Sequence, residues 1–397
     1  MLKNMFASVC LVVALTVAGH AAAQVWVPLW TASPAPDRRD GAPEAPLQFS
    51  AETVRQDMRL GASADALRFR ISNELGDAPL HVSHIAVRKV GQDGGALPVL
   101  FNGQSDIVVP VGAALISDPV ALAVPAFADV ALSLYFPEPT RPAVRRTPVR
   151  VAAGLADVGD ERPLIRRQNV VSAVYGARDA APTVVVALGD SITEGATASL
   201  GAHLDWPSVL ARRFEETCPG QVVVLNQGIS GNRILDQGRS HSVLARLDRD
   251  VLAQPGVDYV ILLGGINDIR HSGAPLMRPG RDAADMELGY RQIVARLHDH
   301  AIKVVGGSLT PFEGSERYEA GSEATRQVLN RFIRTSDLFD AVIDFDVAVR
   351  DPARPEAFVA GASRDDRLHP NDAGYALMAE AVDLSVFGCG QSPNEHS

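Results

Sequence analysis

The sequence predicts an α/β protein in two parts, an all-β jelly roll or sandwich followed by a three-layer α/β/α domain with a mostly parallel sheet. Three observations lead to this fold class. Residues 24–178 contain many short segments of period-two hydrophobicity. Residues 179–390 alternate apolar strand-like segments with helix-like ones. The change falls at residues 178–182, Arg-Asp-Ala-Ala-Pro, which are typical of a linker.

The all-β part is predicted from alternation and turns. Residues 67–71, Leu-Arg-Phe-Arg-Ile, alternate apolar and charged side chains, and residues 81–87 follow a turn-like segment at 76–79. Such alternation is typical of strands that are buried on one face. Many short strands with Pro- and Gly-bearing turns between them indicate a sandwich or jelly roll. Further strands are expected at residues 97–101, 114–124, 130–136 and 148–152.

The second part is predicted from strand-like segments that alternate with helix-like segments. Its strand-like segments have little internal polarity, as expected of parallel strands that are covered on both faces. They are residues 183–188, 222–225, 259–263, 303–306 and 342–345. Helix-like segments lie between and after them, at residues 207–216, 242–253, 286–300, 323–336 and 373–382. This βαβα order predicts a three-layer domain whose active site lies at the carboxyl ends of the strands.

The two ends of the chain are expected to lie outside these domains. Residues 1–23 have the layout of a secretory signal peptide, with Lys3, an apolar run and three alanines before an expected cleavage after Ala23. The apolar run is shorter than the roughly 20 residues needed to span a bilayer. We therefore expect a secreted or periplasmic protein with no integral membrane span. Residues 391–397 are expected to form a polar tail.

The charge balance indicates the class of partner. With 37 basic and 47 acidic residues, the chain has a formal net charge of −10 at pH 7. Nucleic acids and anionic membrane surfaces attract basic patches, so neither is expected as the main partner. Small neutral substrates or polysaccharides fit this balance better. The sequence leaves the oligomeric state open.

Two cysteines follow the predicted signal peptide, Cys218 and Cys389. An even number in an oxidising compartment predicts a disulfide, with two separate thiols as the alternative. Neither cysteine belongs to a C-x-x-C motif, and no nucleotide-binding glycine motif follows a strand. The pair His298 and His300 stands at a helix end without a third ligand nearby. No cofactor and no metal are therefore expected.

A serine and a histidine stand where catalytic residues would be needed. Ser191 follows the strand-like residues 183–188 in the segment Gly-Asp-Ser, and Asp366 precedes His369 by three residues on a loop. A serine hydroxyl becomes a useful nucleophile when a base takes its proton, and the imidazole needs a carboxylate to orient it. Taken alone, Gly-Asp-Ser is as often a turn or a helix cap.

Two further loops follow strands of the same predicted sheet. Residues 226–233 contain Gly228 and Gly231, and residues 263–269 contain Asn267. Acyl transfer passes through an oxyanion, which needs preorganised donors such as a glycine N–H or an asparagine amide. Each loop alone is a common turn at a strand end.

Together and in this order, the four segments resemble the SGNH hydrolases, or GDSL esterase and lipase family, over roughly residues 183–387. The resemblance implies a carboxylic-ester hydrolase with the SGNH form of the three-layer fold. Carried over position by position, it implies that Ser191 is the nucleophile and that His369 is the base oriented by Asp366.

The same resemblance implies an oxyanion hole made by the backbone of Ser191, by Gly231 and by Asn267, with Gly228 as a competing candidate for the glycine. Residues 24–178 are similar to the β-domain of a secreted, arylesterase-like subgroup, which implies acetyl esters of glycans as substrates. Alternatives stay open: a lipase or arylesterase of broad specificity, a sugar O-acyltransferase, or a glycan-binding protein with a vestigial hydrolase domain.

Overall fold

The computed structural model describes residues 24–35, 48–92, 95–238, 240–270 and 281–389. The predicted signal peptide, residues 1–23, and the predicted tail, residues 391–397, lie outside the described residues. In the part of the chain that is described, no helix has both the length and the apolar character needed to cross a membrane.

The described residues of the first part of the chain form strands, turns and loops, without helices. Its strands within the described residues are β1 (Val25–Thr31), β2 (Glu52–Arg59), β3 (Leu67–Ser72), β4 (Leu80–Lys89), β5 (Leu97–Pro98), β6 (Asp106–Val109), β7 (Ala114–Ile116), β8 (Asp129–Phe136), β9 (Val144–Ala153), β10 (Ile165–Asn169) and β11 (Val171–Arg178). They form two antiparallel sheets. One has the order β1-β11-β3-β7, and the other has the order β10-β9-β2-β8-β4-β5, with β6 beside β4.

The alternation that predicts these strands reflects burial on one face. In β3, Leu67, Phe69 and Ile71 are fully buried, whereas Arg68 and Arg70 are only half-buried. The apolar faces of both sheets contribute to one core. The prediction of a β-sandwich in this part of the chain is therefore confirmed.

Two predicted strands, at 97–101 and 114–124, are shorter than expected, and five strands, β1, β2, β6, β10 and β11, were not predicted individually. The strand expected at 114–124 ends at Ile116. The remainder of the segment contains Pro119, which has no N–H for a ladder, and Val120 forms only an isolated bridge to Leu67. Strand β2 was not predicted, because its buried side chains include Arg55. That guanidinium is neutralised by Asp57 at 2.7 Å, a pairing that a hydrophobic pattern does not reveal.

The second part contains a parallel sheet of five strands in the order β13-β12-β14-β15-β16. These are β12 (Thr183–Gly189), β13 (Val222–Gly228), β14 (Val257–Leu263), β15 (Lys303–Gly307) and β16 (Ala341–Ile343). A small hairpin of β17 (Arg350–Asp351) and β18 (Arg354–Phe358) follows. The central strand β12 is apolar and buried along Val184–Leu188, as a strand covered on both faces should be.

Helices cover this sheet. They are α1 (Ser191–Glu194), α2 (Trp206–Thr217), α3 (Val243–Leu247), α4 (Ile266–Ile269), α5 (Ala283–His298), α6 (Ala320–Thr335), α7 (Phe345–Val349) and α8 (Asp372–Glu380). Helix α2 packs on β13 and α8, and α5 packs on β15 and α6. The helix expected at 242–253 is α3 followed by a π-helical turn, Asp248–Leu252. The three-layer α/β/α prediction is confirmed.

Polar contacts and a disulfide tie the chain together. Ser33, just after β1, donates its hydroxyl to Gln227 Oε1 of β13 at 2.5 Å, in a buried environment. Arg249 donates to the Pro34 carbonyl at 3.2 Å. The predicted disulfide is present between Cys218, at the end of α2, and Cys389. The disulfide lies within the second part. The two parts meet where β1 and Ser33 pack on β13, the edge strand of the parallel sheet.

Candidate active site

The nucleophile candidate lies at the carboxyl end of the central strand. Strand β12 ends at Gly189, where a Cβ atom would come within 2.2 Å of the Leu263 carbonyl oxygen, so the close approach of β14 requires glycine. Asp190 then caps α1 by accepting a hydrogen bond from the Ile192 N–H at 3.0 Å. Ser191 is the first residue of this helix and is 7% exposed. A strand-to-helix turn of this kind presents the serine at the edge of the sheet.

Ser191, His369 and Asp366 form a continuous hydrogen-bonded chain. The distance between Ser191 Oγ and His369 Nε2 is 2.8 Å, although 178 residues separate them in sequence. On the other side of the ring, His369 Nδ1 lies 2.6 Å from Asp366 Oδ2. A proton on Nδ1 leaves Nε2 free to accept the serine proton. The predicted nucleophile and the predicted orienting carboxylate thus both lie within hydrogen-bond distance of the predicted base.

Asp366 is held as a carboxylate by the groups around it. Partial burial raises its pKa, but the hydrogen bond with the His369 ring and the N–H groups of His369 and Leu368 outweigh that effect and lower the pKa overall. Both N–H groups donate to Asp366 Oδ1 at 3.0 Å. One oxygen thus fixes the loop while the other orients the imidazole.

The three oxyanion-hole candidates lie at neighbouring strand ends. The Ser191 N–H is the first of α1 and has no partner within that helix. Asn267, in α4 after β14, donates its side-chain amide to the Asn232 carbonyl at 3.1 Å and approaches Asp190 Oδ2 at 3.4 Å. Gly231 has φ +74, in the left-handed region that favours glycine. The structure thus brings Asn267 against the segments that carry Ser191 and Gly231.

Gly228 and Gly231 have different structural reasons to be glycine. At Gly228, the last residue of β13, a Cβ atom would lie 2.1 Å from the Glu194 nitrogen. It therefore allows α1 to pack directly on the strand. Gly231 lies in the loop beyond, and the neighbouring Ser230 N–H donates to Glu194 Oε2 at 2.5 Å. Glu194 thus anchors the loop of Gly231 to the helix of Ser191.

Two buried carboxylates lie beside these loops. Burial raises the pKa of Asp190 to about 7, and the nearby Asp268 adds to the rise. Burial also raises the pKa of Asp268 to about 6, although it accepts hydrogen bonds from Ile234 N–H at 2.9 Å and Leu235 N–H at 3.1 Å. Asp268 thereby joins the segment after β13 to the one after β14.

Arg246, in α3, makes hydrogen bonds to the same loops. It is fully buried, and its Nε donates to Asn232 Oδ1 at 3.0 Å. Its Nη2 donates to the Gly189 carbonyl at 2.9 Å, and its Nη1 donates to the Gln227 carbonyl at 2.8 Å. One guanidinium therefore holds the ends of β12 and β13 and the loop that accepts from Asn267.

The same guanidinium reaches the first part of the chain. Arg246 Nη1 contacts Ser33 Oγ at 3.2 Å and Asp250 Oδ2 at 2.8 Å. Asp250 is also held by Arg249 at 2.6 Å, so its buried charge is balanced by two arginines. Sequence reasoning missed Arg246, since a charged residue in an amphipathic helix-like segment normally faces solvent, and it missed Glu194, which stands in the loop expected after residues 183–188. Only their partners reveal them.

Two other residues near these loops have structural roles. Trp206 is fully buried and packs against Phe345 with ring centroids 5.2 Å apart, while Pro207 lies in the first turn of α2. His298 pairs with Asp340 at 2.8 Å. Among the described residues, no group of three or more His, Cys, Asp or Glu side chains is arranged to hold a metal ion.

Comparison with known proteins places these loops in a family context. Residues 187–377 match the GDSL-like lipase/acylhydrolase family. A search of curated proteins found no matching sequence. Among solved structures, the chain is similar to LAE5, an alpha/beta hydrolase enzyme from the metagenome of Lake Arreo in Spain. The identity is 26%, the match covers 54% of this chain and 98% of that one, and the TM-score is 0.41.

Two further solved structures show lower identity. One is Axe2, an acetylxylan esterase from Geobacillus stearothermophilus, at 23% identity, with 52% of this chain and 94% of that chain covered and a TM-score of 0.41. The other is a GDSL-like lipase from Bacteroides thetaiotaomicron VPI-5482, at 20% identity, with 51% and 87% covered and a TM-score of 0.38.

Proposed function

We propose that Ser191 is the nucleophile of a carboxylic-ester hydrolase, the activity indicated by the match of residues 187–377 to the GDSL-like lipase/acylhydrolase family. His369 serves as the general base and acid, and Asp366 orients it. The observation that carries the proposal is the hydrogen-bonded chain from Ser191 Oγ through the imidazole to Asp366. No metal or cofactor is assigned a role.

In the proposed reaction, Ser191 Oγ attacks the ester carbonyl carbon while His369 Nε2 accepts the hydroxyl proton. The imidazolium then returns that proton to the departing alcohol as its C–O bond breaks, which leaves an acyl-enzyme. Water attacks the acyl carbon in the same way, releasing the acid and restoring the serine. Asp366 stabilises the imidazolium that forms in each half-reaction.

The oxyanion of both tetrahedral intermediates would be stabilised by the N–H groups of Ser191 and Gly231 and by the Asn267 amide. We expect Asn267→Ala to lower kcat by about 100- to 1,000-fold, as loss of one such donor typically does. The measurement is steady-state hydrolysis of p-nitrophenyl acetate. A change of less than threefold in kcat would exclude Asn267 from the oxyanion hole.

The nucleophile is tested by Ser191→Ala together with covalent labelling. We expect the variant to lose hydrolysis of p-nitrophenyl acetate and to resist a fluorophosphonate probe that labels the native protein. Ser199→Ala is a suitable control, because the Ser199 hydroxyl contacts Asp372 rather than a histidine. Labelling of Ser191→Ala at the native rate would refute the assignment, whereas failure of the probe to label the native protein would indicate an inactive binding protein.

We further propose that the substrate is a short-chain ester, such as an acetyl ester of a glycan. The side chain of Asp366 is 46% exposed, so the histidine side of the site is open to solvent, where a large alcohol group can extend. Rates on acetyl, butyryl and longer p-nitrophenyl esters, beside acetate release from acetylated xylan, test this. Highest activity on long chains would indicate a lipase instead.

The same assay separates hydrolysis from transfer. If a sugar hydroxyl is the natural acceptor, adding free xylo-oligosaccharides diverts the acetyl group into new esters that mass spectrometry detects. We expect free acetate as the product with or without acceptor. Acetylated oligosaccharide as the major product would establish the acyltransferase alternative.

We also propose that the mature chain is secreted, with a β-domain at 24–178 and a catalytic domain at 179–390. The support is the composition of residues 1–23 and the disulfide, which suits an oxidising compartment. Mass spectrometry of protein exported by a bacterial host tests it. A mature chain beginning at Gln24 is expected, and retention of residues 1–23 on exported protein would contradict cleavage after Ala23.

A further inference from the structure

A cavity of about 240 Å³ lies between the two parts of the chain. Its walls come from β1, β2, β9 and β10 on one side and from α1, α2 and β13 on the other. Neither Ser191 nor His369 lines it. At about 30 Å³ for each water molecule in the liquid, this volume equals about eight waters, which is more than a single small ion needs.

The most unusual residue of the cavity wall is Arg145 of β9. Its side chain is nine-tenths buried, with 9% exposure, yet it forms no ion pair within the described residues. One nitrogen, Nη2, reaches the Asn226 carbonyl at 3.2 Å and the Thr31 carbonyl at 3.4 Å, and Nε has no hydrogen-bond partner. A guanidinium cannot lose its proton in a protein, so burial leaves a charge that is poorly compensated.

Further cationic groups line the same cavity. Arg166 of β10 is half-buried, and its side chain has no hydrogen bond or ion pair in the described parts of the chain. It lies close enough to repel Arg145. Arg212 of α2 donates only to the His203 carbonyl, at 2.8 Å. Six arginines and four carboxylates line this cavity, so its wall carries more positive than negative side chains in a protein whose net charge is −10.

Uncharged polar groups of the wall also lack partners. The Gln56 amide nitrogen and the hydroxyls of Thr31 and Thr147 are buried without a hydrogen bond in the described structure. All three line the cavity. Buried polar groups in proteins are normally satisfied by protein, water or ligand, so their grouping indicates a polar occupant with several hydrogen-bonding atoms.

The carboxylates nearest to Arg145 are already engaged. Glu194 and Asp205 attract the Arg145 charge but do not pair with it. Glu194 accepts from the Ser230 N–H at 2.5 Å, and Asp205 accepts from the Ser208 hydroxyl at 2.8 Å and from its N–H at 3.1 Å. Burial therefore still lowers the pKa of Arg145, and the positive charge is left for another anion.

We propose that this cavity is a binding site for an oxyanion, held by Arg145, Arg166 and Arg212, and that a carboxylate-bearing sugar is the occupant that fits it best. The guanidiniums match the geometry of a carboxylate, sulfate or phosphate group. The unpaired amide and hydroxyls of Gln56 and Thr147 match the hydroxyls of a sugar ring. The site is separate from the catalytic serine and does not depend on the role proposed for it.

The test is isothermal titration calorimetry of the full-length protein with sodium D-glucuronate, D-glucose and sodium sulfate, at an ionic strength kept constant with chloride. We expect D-glucuronate to bind and D-glucose, which lacks the carboxylate, to give no heat of binding. Binding of sulfate that competes with D-glucuronate would assign the site to oxyanions in general. No binding of either anion, or equal binding of glucose, would overturn the proposal.

Two variants test whether D-glucuronate binds in this cavity. Arg166→Gln should fold, because the Arg166 side chain makes no hydrogen bond or ion pair in the described residues, and we expect it to raise the Kd for D-glucuronate by about tenfold or more. Arg331→Gln, at an exposed position of α6, should leave the Kd unchanged. Hydrolysis of p-nitrophenyl acetate by Arg166→Gln should also stay unchanged. A native Kd in Arg166→Gln would refute the site as placed here.

Discussion

Replacing Arg246 with lysine tests whether the loops of the active site depend on one buried guanidinium. Arg246 makes five hydrogen bonds, to Asn232, Gly189, Gln227, Asp250 and Ser33. Lysine has a single nitrogen with three donors, so at least two of these acceptors lose their partner. A buried polar group left unpaired costs about 1–3 kcal/mol, which gives a loss of roughly 2–6 kcal/mol in the free energy of unfolding.

We expect Arg246→Lys to lower kcat by more than its loss of folding stability would explain. The lost bonds hold the carbonyl of Gly189, two residues before Ser191, and the side chain of Asn232, whose carbonyl accepts from Asn267. A displacement of about 1 Å at a reacting group can cost about 100-fold in rate. We therefore expect kcat for p-nitrophenyl acetate to fall about 100-fold in Arg246→Lys, with a smaller change in KM.

Arg326→Lys provides a matched control. Arg326 is also fully buried and also makes five hydrogen bonds, but its partners are Glu323, Leu309, Asp346 and Pro355, which belong to none of the four active-site segments. We expect a similar loss of stability in urea and a kcat within about threefold of native. If both variants lose activity equally while folded, or if Arg246→Lys keeps native kcat, the positioning role of Arg246 is refuted.

Three further outcomes are expected. Asp366→Asn should lower kcat by about 1,000- to 10,000-fold without unfolding the protein, since an amide no longer fixes the His369 tautomer; near-native kcat would exclude Asp366 from the triad. Burial raises the pKa of Asp190 from 3.8 to about 7, so its contribution to stability is fully present below pH 4 and is lost progressively as the pH rises to 7. Urea unfolding at pH 5 and pH 8 should therefore show Asp190→Asn losing less stability than the native protein, by up to roughly 3 kcal/mol; parallel losses would contradict this. Removing the disulfide by Cys218→Ser with Cys389→Ser should lower the free energy of unfolding by about 2–5 kcal/mol, because the bond closes a loop spanning 171 positions; an unchanged urea midpoint would show that the bond does not form.

Periodicity in the sequence was enough to predict both parts of the fold. Period-two alternation in residues 67–71 and the apolar run of residues 183–188 are local consequences of burial on one face or on two. Boundaries were less predictable where polar residues are buried, as in β2, or where prolines end a ladder, as in β7. In β2 the missing information was the pairing of the Arg55 guanidinium with Asp57 of the same strand, whereas the short β7 is followed by Pro119, which the sequence itself contains.

For the candidate site, the sequence by itself determined which residue types stand at the ends of the parallel strands. The order of Ser191, Gly231, Asn267 and Asp366 with His369 indicated acyl chemistry, because parallel strands end at one edge of a sheet. Their contacts were decided only by the tertiary structure. Ser191 meets His369 across 178 positions.

Arg246 and Arg145 mark the limit of sequence reasoning. Arg246 meets Ser33 across 213 positions, and Arg145 meets Asn226 across 81. In the sequence both are charged residues that would ordinarily face solvent. Whether a charge is buried, paired or left for a ligand depends on groups that distant segments bring to it, and local periodicity contains no record of those groups. The sequence therefore determined the fold class and the chemistry of the strand ends, whereas the tertiary structure decided which side chains support them and where a second ligand can bind.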